Sequence, residues 1–277
     1  DPRLRQQEKW HAGGEKKRFG HIIVTGQKLF SAHHIQVIAR FHPGDRYDAS
    51  LLDDLRRALI QTSLVSVVKI TPVKGKDPGT VDVEVHLERG PPRTVALQLG
   101  YGTGEGISGQ LSWQHRNLFP PEGAVTFSGV LGTREQSVGA SLRRSNFGMR
   151  DQALTAQVTA DHSTREAYDA KTLTIGVGIE RQTNIIWQKK WTWSVGPQFI
   201  VSNERDIEPT TLVPERRTFY IATLPGTLAY DSTDDLLNPT RGFRLSGMIS
   251  PEASFHDGHA TYVRMKLDSS GYIPLDK

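Results

Sequence analysis

The chain contains no cysteine, which excludes a disulfide framework and thiolate metal ligands. No apolar run approaches the roughly 18 residues that a membrane-spanning helix needs. Charge of either sign is not in large excess: 34 Lys and Arg against 30 Asp and Glu give a formal charge of +4. The basic residues are scattered, with no stripe interleaved with aromatics, so nucleic acid is not an expected partner. Enzyme signatures are missing as well. There is no Gly-x-Ser-x-Gly elbow and no phosphate-binding glycine loop. His33 and His34 are adjacent on a predicted helix and cannot face one metal, and His115 and His162 have no evident partner. No catalytic residue, metal or cofactor is expected. The chain begins at Asp1 without a leader, which reads as a leader already removed or a start inside a longer chain.

Hydrophobic residues make up only 36% of the chain. This does not exclude a transmembrane β-barrel, whose strands need apolar side chains only at alternate positions.

Two patterns divide the sequence near residue 90. In the first, His21-Ile22-Ile23-Val24 reads as a strand closed by Thr25-Gly26. Ser31 caps a short helix carrying Ala32, Ile35 and Ile38 on one face, and Asp48 or Ser50 caps a second with Leu51, Leu52, Leu55, Ala58 and Leu59. Val65 to Ile70 reads as a strand, Lys74 to Gly79 as a turn. A third strand alternates Val81, Val83, Val85 and Leu87 with Asp82, Glu84, His86 and Glu88. The expected unit is an α+β domain of order βααββ over residues 18–90.

From Pro91-Pro92 onward, alternating segments of about ten residues repeat, each followed by a turn. Ten are predicted: 94–101, 107–116, 122–132, 135–144, 152–162, 171–182, 190–203, 217–230, 241–250 and 260–272. Leu173, Ile175, Val177 and Ile179, for example, alternate with Thr174, Gly176, Gly178 and Glu180. A soluble sandwich also alternates, but its strands average about five or six residues. Aromatics gather near segment ends (Trp113, Phe119, Trp187, Trp191, Tyr220, Tyr230), as membrane interfaces favour. The longest polar connections, Ser202–Arg216 and Asp161–Ala170, both follow odd-numbered segments, and short turns follow even ones. That parity fits a bacterial barrel with long outer loops and short periplasmic turns. In the acidic group Asp231, Asp234 and Asp235 beside Arg241, turn capping is preferred over a calcium site.

Three stretches carry a family resemblance: Gly100-Tyr101-Gly102-Thr103-Gly104-Glu105-Gly106, then Arg116-Asn117-Leu118-Phe119, then Asp231 through Asn238-Pro239-Thr240-Arg241-Gly242-Phe243. Together they resemble the start of an Omp85-superfamily barrel, most similar to the TamA family of translocation and assembly factors. Residues 18–90 resemble a POTRA domain, although Gln61-Thr62-Ser63-Leu64 stands where its Gly-hydrophobic-Phe signature belongs. Residues 1–17 resemble a linker or the tail of a preceding POTRA module. The superfamily's Val-Arg-Gly-Tyr/Phe motif is absent, so 91–277 reads as an incomplete barrel, about ten strands of an implied sixteen.

The resemblance implies a bacterial outer-membrane location, with the POTRA domain in the periplasm. It implies a non-enzymatic assembly or translocation factor whose clients are unfolded outer-membrane proteins, autotransporters in particular, with a TamB-like inner-membrane partner and the lipid bilayer as further contacts. An edge strand Val65, Ser66, Val67, Val68, Lys69 and Ile70 would bind client or partner. A first barrel strand Thr94, Val95, Ala96, Leu97, Gln98, Leu99, Gly100 and Tyr101 would form a lateral gate. Gly100, Gly102, Gly104 and Gly106 either weaken that strand's end or form a tight hairpin, and the sequence leaves both open. BamA-type insertases, two-partner-secretion exporters and a passive pore or surface antigen are the alternatives.

Overall fold

A computed structural model describes residues 17–103, 106–165, 168–183, 188–207, 214–256 and 258–274. The chain divides into two units, Asp1–Pro91 and Pro92–Lys277.

The first unit holds β1 (Arg18–Gly26), α1 (Ala32–Ile38), α2 (Ala49–Gln61), β2 (Val65–Lys74) and β3 (Thr80–Arg89). Both helices start where a side chain satisfies an orphan N–H. Ser31 Oγ accepts from His34 N at 3.1 Å, and Asp48 Oδ1 from Ser50 N at 2.8 Å. Hydrogen bonding from Ser50, its side chain first and its backbone second, holds the Asp48 carboxyl below the usual Asp range. At the end of α2, Ser63 takes φ 56°, a left-handed conformation that glycine adopts more cheaply. The sheet order is β1-β3-β2, with β1 parallel and β2 antiparallel to the central β3. Alternation along β3 buries Val81, Val83, Val85 and Leu87, and the last three join Ile35, Ile38, Leu55 and Leu59 in one core. Phe19 stacks on Phe41 at 3.9 Å between ring centroids.

Among its described residues, the second unit is one antiparallel sheet of twelve strands. They are β4 (Arg93–Gly102), β5 (Gly106–Phe119), β6 (Gly123–Gly132), β7 (Glu135–Arg144), β8 (Gln152–Arg165), β9 (Tyr168–Arg181), β10 (Trp191–Val195), β11 (Gln198–Ile207), β12 (Pro214–Thr223), β13 (Gly226–Asp231), β14 (Gly242–Phe255) and β15 (His259–Tyr272). β4 to β9 pair in chain order. β9 pairs with both β10 and β11, and β14 pairs with β12, β13 and β15.

Several expectations are corrected. Among the described residues helix is confined to seven residues of α1 and thirteen of α2, so the chain is a β protein dominated by one large antiparallel sheet, and the α+β POTRA assignment is not upheld. The second unit has twelve strands where ten were expected, because Pro197 and Pro225 lack an amide donor and interrupt two of them. Register is unchanged across these breaks: Val195 faces Gly226 and Gln198 faces Thr223. Arg116-Asn117-Leu118-Phe119 lies within β5 rather than in a turn, at a register irregularity between His115 and Phe119. The polar connection expected at Asp161–Ala170 is largely strand, since β8 runs to Arg165 and β9 starts at Tyr168. Trp187 and Gly104 lie outside the described residues, as do residues 1–16.

Candidate functional site

The two faces of the large sheet differ in kind. Registered neighbours share a face. One row across the sheet reads Val95, Trp113, Phe127, Ala140, Val158, Ile175, Phe199, Ala222. The neighbouring row on the opposite face reads Ala96, Ser112, Ser128, Gly139, Thr159, Thr174. The polar face satisfies itself laterally: Gln114 Nε2 donates to Thr126 Oγ1 at 3.2 Å, Ser194 and Thr227 hydroxyls meet at 2.6 Å, and Arg264 pairs with Glu252 at 2.6 Å. Arg143 and Glu180 form a further ion pair.

Among the described residues of the second unit, nothing packs on the apolar face. In the second unit, Val125, Ala153 and Ala170 are the buried hydrophobic residues among those described. Leu99 and Leu131 are each 77% exposed and Met265 is 71% exposed. Burying one such side chain is worth roughly 1.5–3 kcal/mol, so twenty left in water would cost on the order of 30–60 kcal/mol. That exceeds the typical net stability of about 5–15 kcal/mol. A soluble sandwich would bury one face against a second sheet. This sheet, with strands of up to fourteen residues, fits a lipid-facing wall instead, since a tilted transmembrane strand needs about 9–11.

At one end of the sheet, polar contacts link successive turns. Asn117 Oδ1 accepts from Glu122 N at 2.9 Å, and Asn146 Nδ2 donates to Glu122 Oε2 at 2.7 Å. Asn146 Oδ1 accepts from Asp151 N at 2.9 Å, and Lys189 Nζ lies 2.7 Å from Asp151 Oδ2. Gln188 Nε2 reaches Thr233 Oγ1 at 2.9 Å. Burial lowers the Lys189 pKa, and the Asp151 carboxylate opposes that shift.

The Asn238-Pro239-Thr240-Arg241-Gly242 turn is held from within. Asp234 Oδ1 accepts from Thr240 N at 2.9 Å and Arg241 N at 3.0 Å, and its other oxygen takes the Thr240 hydroxyl. Asp235 Oδ1 accepts from Leu237 N and Asn238 N at 2.8 and 2.7 Å. These bonds, led by the Thr240 hydroxyl, hold the Asp234 carboxyl far below the usual range. Gly242 has φ +107°, and a Cβ there would sit 2.4 Å from Ser232 O, so only glycine fits. Above the turn, Trp191, Tyr230 and Phe243 form a continuous aromatic patch, with centroids 4.8 and 5.5 Å apart.

β4 and β15 are the edge strands of the sheet among the described residues. From Thr94 through Tyr101, β4 is exposed along its length and, among the described residues, pairs with β5 alone. Its hairpin ends with Gly102 opposite Gly106, and Gly106 has φ +79° with Thr133 Oγ1 only 2.6 Å from any added Cβ. In the first unit, Val65, Ser66, Val67, Val68, Lys69 and Ile70 lie on β2, also an edge strand. A bulge falls between Val65 and Val67, and Val67 is exposed.

His162, expected to lack a partner, has two. Its Nε2 lies 2.9 Å from Asp169 Oδ1 and 3.3 Å from Thr164 Oγ1. Both use the same ring nitrogen, whereas a nucleophile–base–acid relay needs opposite nitrogens. His115 Nδ1 accepts from Asn117 N at 3.2 Å. Sequence reasoning missed the His162 pairing because it depends on the register of the β8–β9 hairpin.

The model of the Omp85 superfamily domain matches residues 100–277. The match starts beyond the first unit, so it lends a POTRA assignment no support. No curated protein matches this chain. Among solved structures, the chain is similar to BamA from Haemophilus ducreyi lacking POTRA domains 1–3, at 17% identity and TM-score 0.71, covering 95% of this chain and 53% of that one. It is similar to CdiB from Acinetobacter baumannii at 15% identity and TM-score 0.52, and to CdiB from Escherichia coli at 11% and 0.56. Each covers 95% of this chain and 51% and 52% of theirs. At these identities the likeness is one of fold, and the chain spans about half the length of the structures it matches. A barrel wall of this kind implies a bacterial outer membrane. With the domain model matching well over half of its residues, the chain belongs to the Omp85 superfamily.

Proposed function

We propose that this chain is the client-handling part of a non-enzymatic factor for outer-membrane protein insertion or secretion, in which the free edge of β4 pairs with a strand of an unfolded client. The carrying observation is that, among the described residues, β4 is bonded to β5 alone and is exposed from Thr94 to Tyr101. An unpaired edge presents a row of N–H and C=O groups that templates a further strand. The client's own burial of apolar surface and satisfaction of its backbone groups in lipid would drive insertion. The β2 edge of the first unit offers a second place for a client such as an autotransporter, or for an inner-membrane partner of the TamB kind.

The test uses the full-length protein; the 277 residues of this chain bring no cysteine of their own. Leu97→Cys on β4 is oxidised in the presence of a client carrying one cysteine in its terminal strand. A crosslink at Leu97 and none from Val138→Cys, inside the sheet on β7, supports the reading. Absence of a Leu97 crosslink in folded protein, or an equal one at Val138, removes it. The polar face favours a passive pore as the second reading; steady conductance with client assembly unaffected by loss of the protein would establish it.

A further inference from the structure

The outward face at the other end of the sheet, beyond the apolar band, carries a group of cations that the proposed function does not use. Lys171 lies two residues from outward-facing Leu173, Arg205 four from Val201, and Arg216 four from Tyr220, all on the same face by strand alternation. These residues sit on β9, β11 and β12, which are neighbours in the sheet. Arg205 and Arg216 face each other directly. Like charges directly opposite are destabilising in an antiparallel pair. Arg134 stands two strands away, its carbonyl accepting from Thr164 N at 2.8 Å.

One carboxylate lies among them. Asp169 binds Arg216 at 2.8 Å and His162 at 2.9 Å, so both its oxygens are engaged. Lys171, Arg205 and Arg134 have no carboxylate partner among the described residues, and all three are exposed. Below them is an open groove of about 500 Å³ lined by Leu131, Val138, Ala160, Leu173 and Val201, with Lys171 and His162 at its rim.

A row of cations, of which Arg216 alone is paired with a carboxylate among the described residues, above a lipid-facing apolar groove matches an amphiphile with acyl chains and an anionic headgroup. From Arg134, in the turn just before β7, to Arg216 on β12 the row spans four strand spacings, about 19 Å at ~4.8 Å each. A single phosphodiester covers one or two of them. We propose that this face binds a lipid bearing at least two phosphates on one large headgroup, with its phosphates on Lys171, Arg205, Arg216 and Arg134 and its chains in the groove. Arginine suits the task, since its planar fork takes two phosphate oxygens at once. The inference rests on the membrane-spanning reading of this face.

The experiment measures lipid binding to the full-length protein in nanodiscs by native mass spectrometry. The probes are bisphosphorylated lipid A, its monophosphorylated form and phosphatidylglycerol. Tenfold or greater preference for the bisphosphorylated lipid is expected, reduced at least tenfold in Lys171→Glu/Arg205→Glu. Lys171→Gln/Arg205→Gln serves if charge reversal prevents folding. Arg241→Glu, at the opposite end, leaves binding unchanged. Equal binding of phosphatidylglycerol, or unaltered binding by both double variants, overturns the site. Failure of the unmodified protein to insert into lipid at all, read by heat-modifiable mobility, overturns the membrane reading beneath it.

Discussion

Gly196 N donates to Pro225 O at 3.2 Å across the gap where two strands of the large sheet are interrupted at the same level. Beside it, Val177 N donates to Pro197 O and Leu224 N to Pro251 O, both at 3.1 Å. Three prolines thus lie in adjacent rows of a sheet interior, accepting hydrogen bonds and donating none. Prolines are normally confined to edges and bulges. The row keeps its register with a thinned ladder, and Gly196 lets the backbones approach.

A Cβ at Gly196 would sit 2.4 Å from Val177 O and 2.6 Å from Gly178 Cα. Gly196→Ala is expected to destabilise the sheet by about 1–3 kcal/mol through overpacking. Gly247→Ala, with nothing within 4 Å of its Cβ, is expected to be neutral or stabilising by up to about 1 kcal/mol. Urea unfolding in detergent micelles compares the two.

Ile175 and Thr174 are consecutive on β9 and face opposite sides. Arginine at Ile175 is expected to cost about 2–4 kcal/mol of stability in lipid, and arginine at Thr174 under about 1 kcal/mol. Equilibrium folding into liposomes measures both. Equal costs would contradict the assignment of faces.

Asp234 accepts three hydrogen bonds from the Thr240–Arg241 segment, and its folded pKa lies below its unfolded one. Its contribution is therefore fully present above the unfolded value of about 3.9 and is lost as pH falls below it toward the folded pKa. Limited proteolysis of the 231–242 turn should accelerate below about pH 4 in the parent protein. In Asp234→Asn the turn should be cut faster at pH 7, with little further change on acidification.

Ser63 bears a left-handed backbone at the end of α2. Left-handed geometry costs a non-glycine residue roughly 1–2 kcal/mol, partly offset by glycine's larger unfolded-state entropy. Ser63→Gly is expected to raise the stability of the first unit by about 0.5–1 kcal/mol, read from its urea midpoint.

Local signals were readable from the sequence, and pairings were not. The caps at Ser31 and Asp48 and the alternation along β3 and β9 follow from nearest neighbours in the chain. The strand breaks at Pro197 and Pro225 were missed because intact alternation on either side outweighed a single lost donor. Arg116-Asn117-Leu118-Phe119 reads as a turn by composition, yet a bulge lets β5 continue through it. The cation row is not legible in the sequence because Lys171, Arg205 and Arg216 are far apart along the chain, and period-two alternation names a face without naming neighbours.

Phe19, Leu55 and Leu59 are sealed from solvent while Leu99 and Leu131 lie bare, which ties the two units to different media during biogenesis. The first carries an interior that water itself drives together, so it should condense unaided once translated. The second has no interior of its own among the described residues to receive its apolar rows, so in water those rows favour non-native collapse and association until a bilayer covers them. A chaotrope titration of the full-length protein should therefore show two transitions, with bilayer thickness moving only the later one.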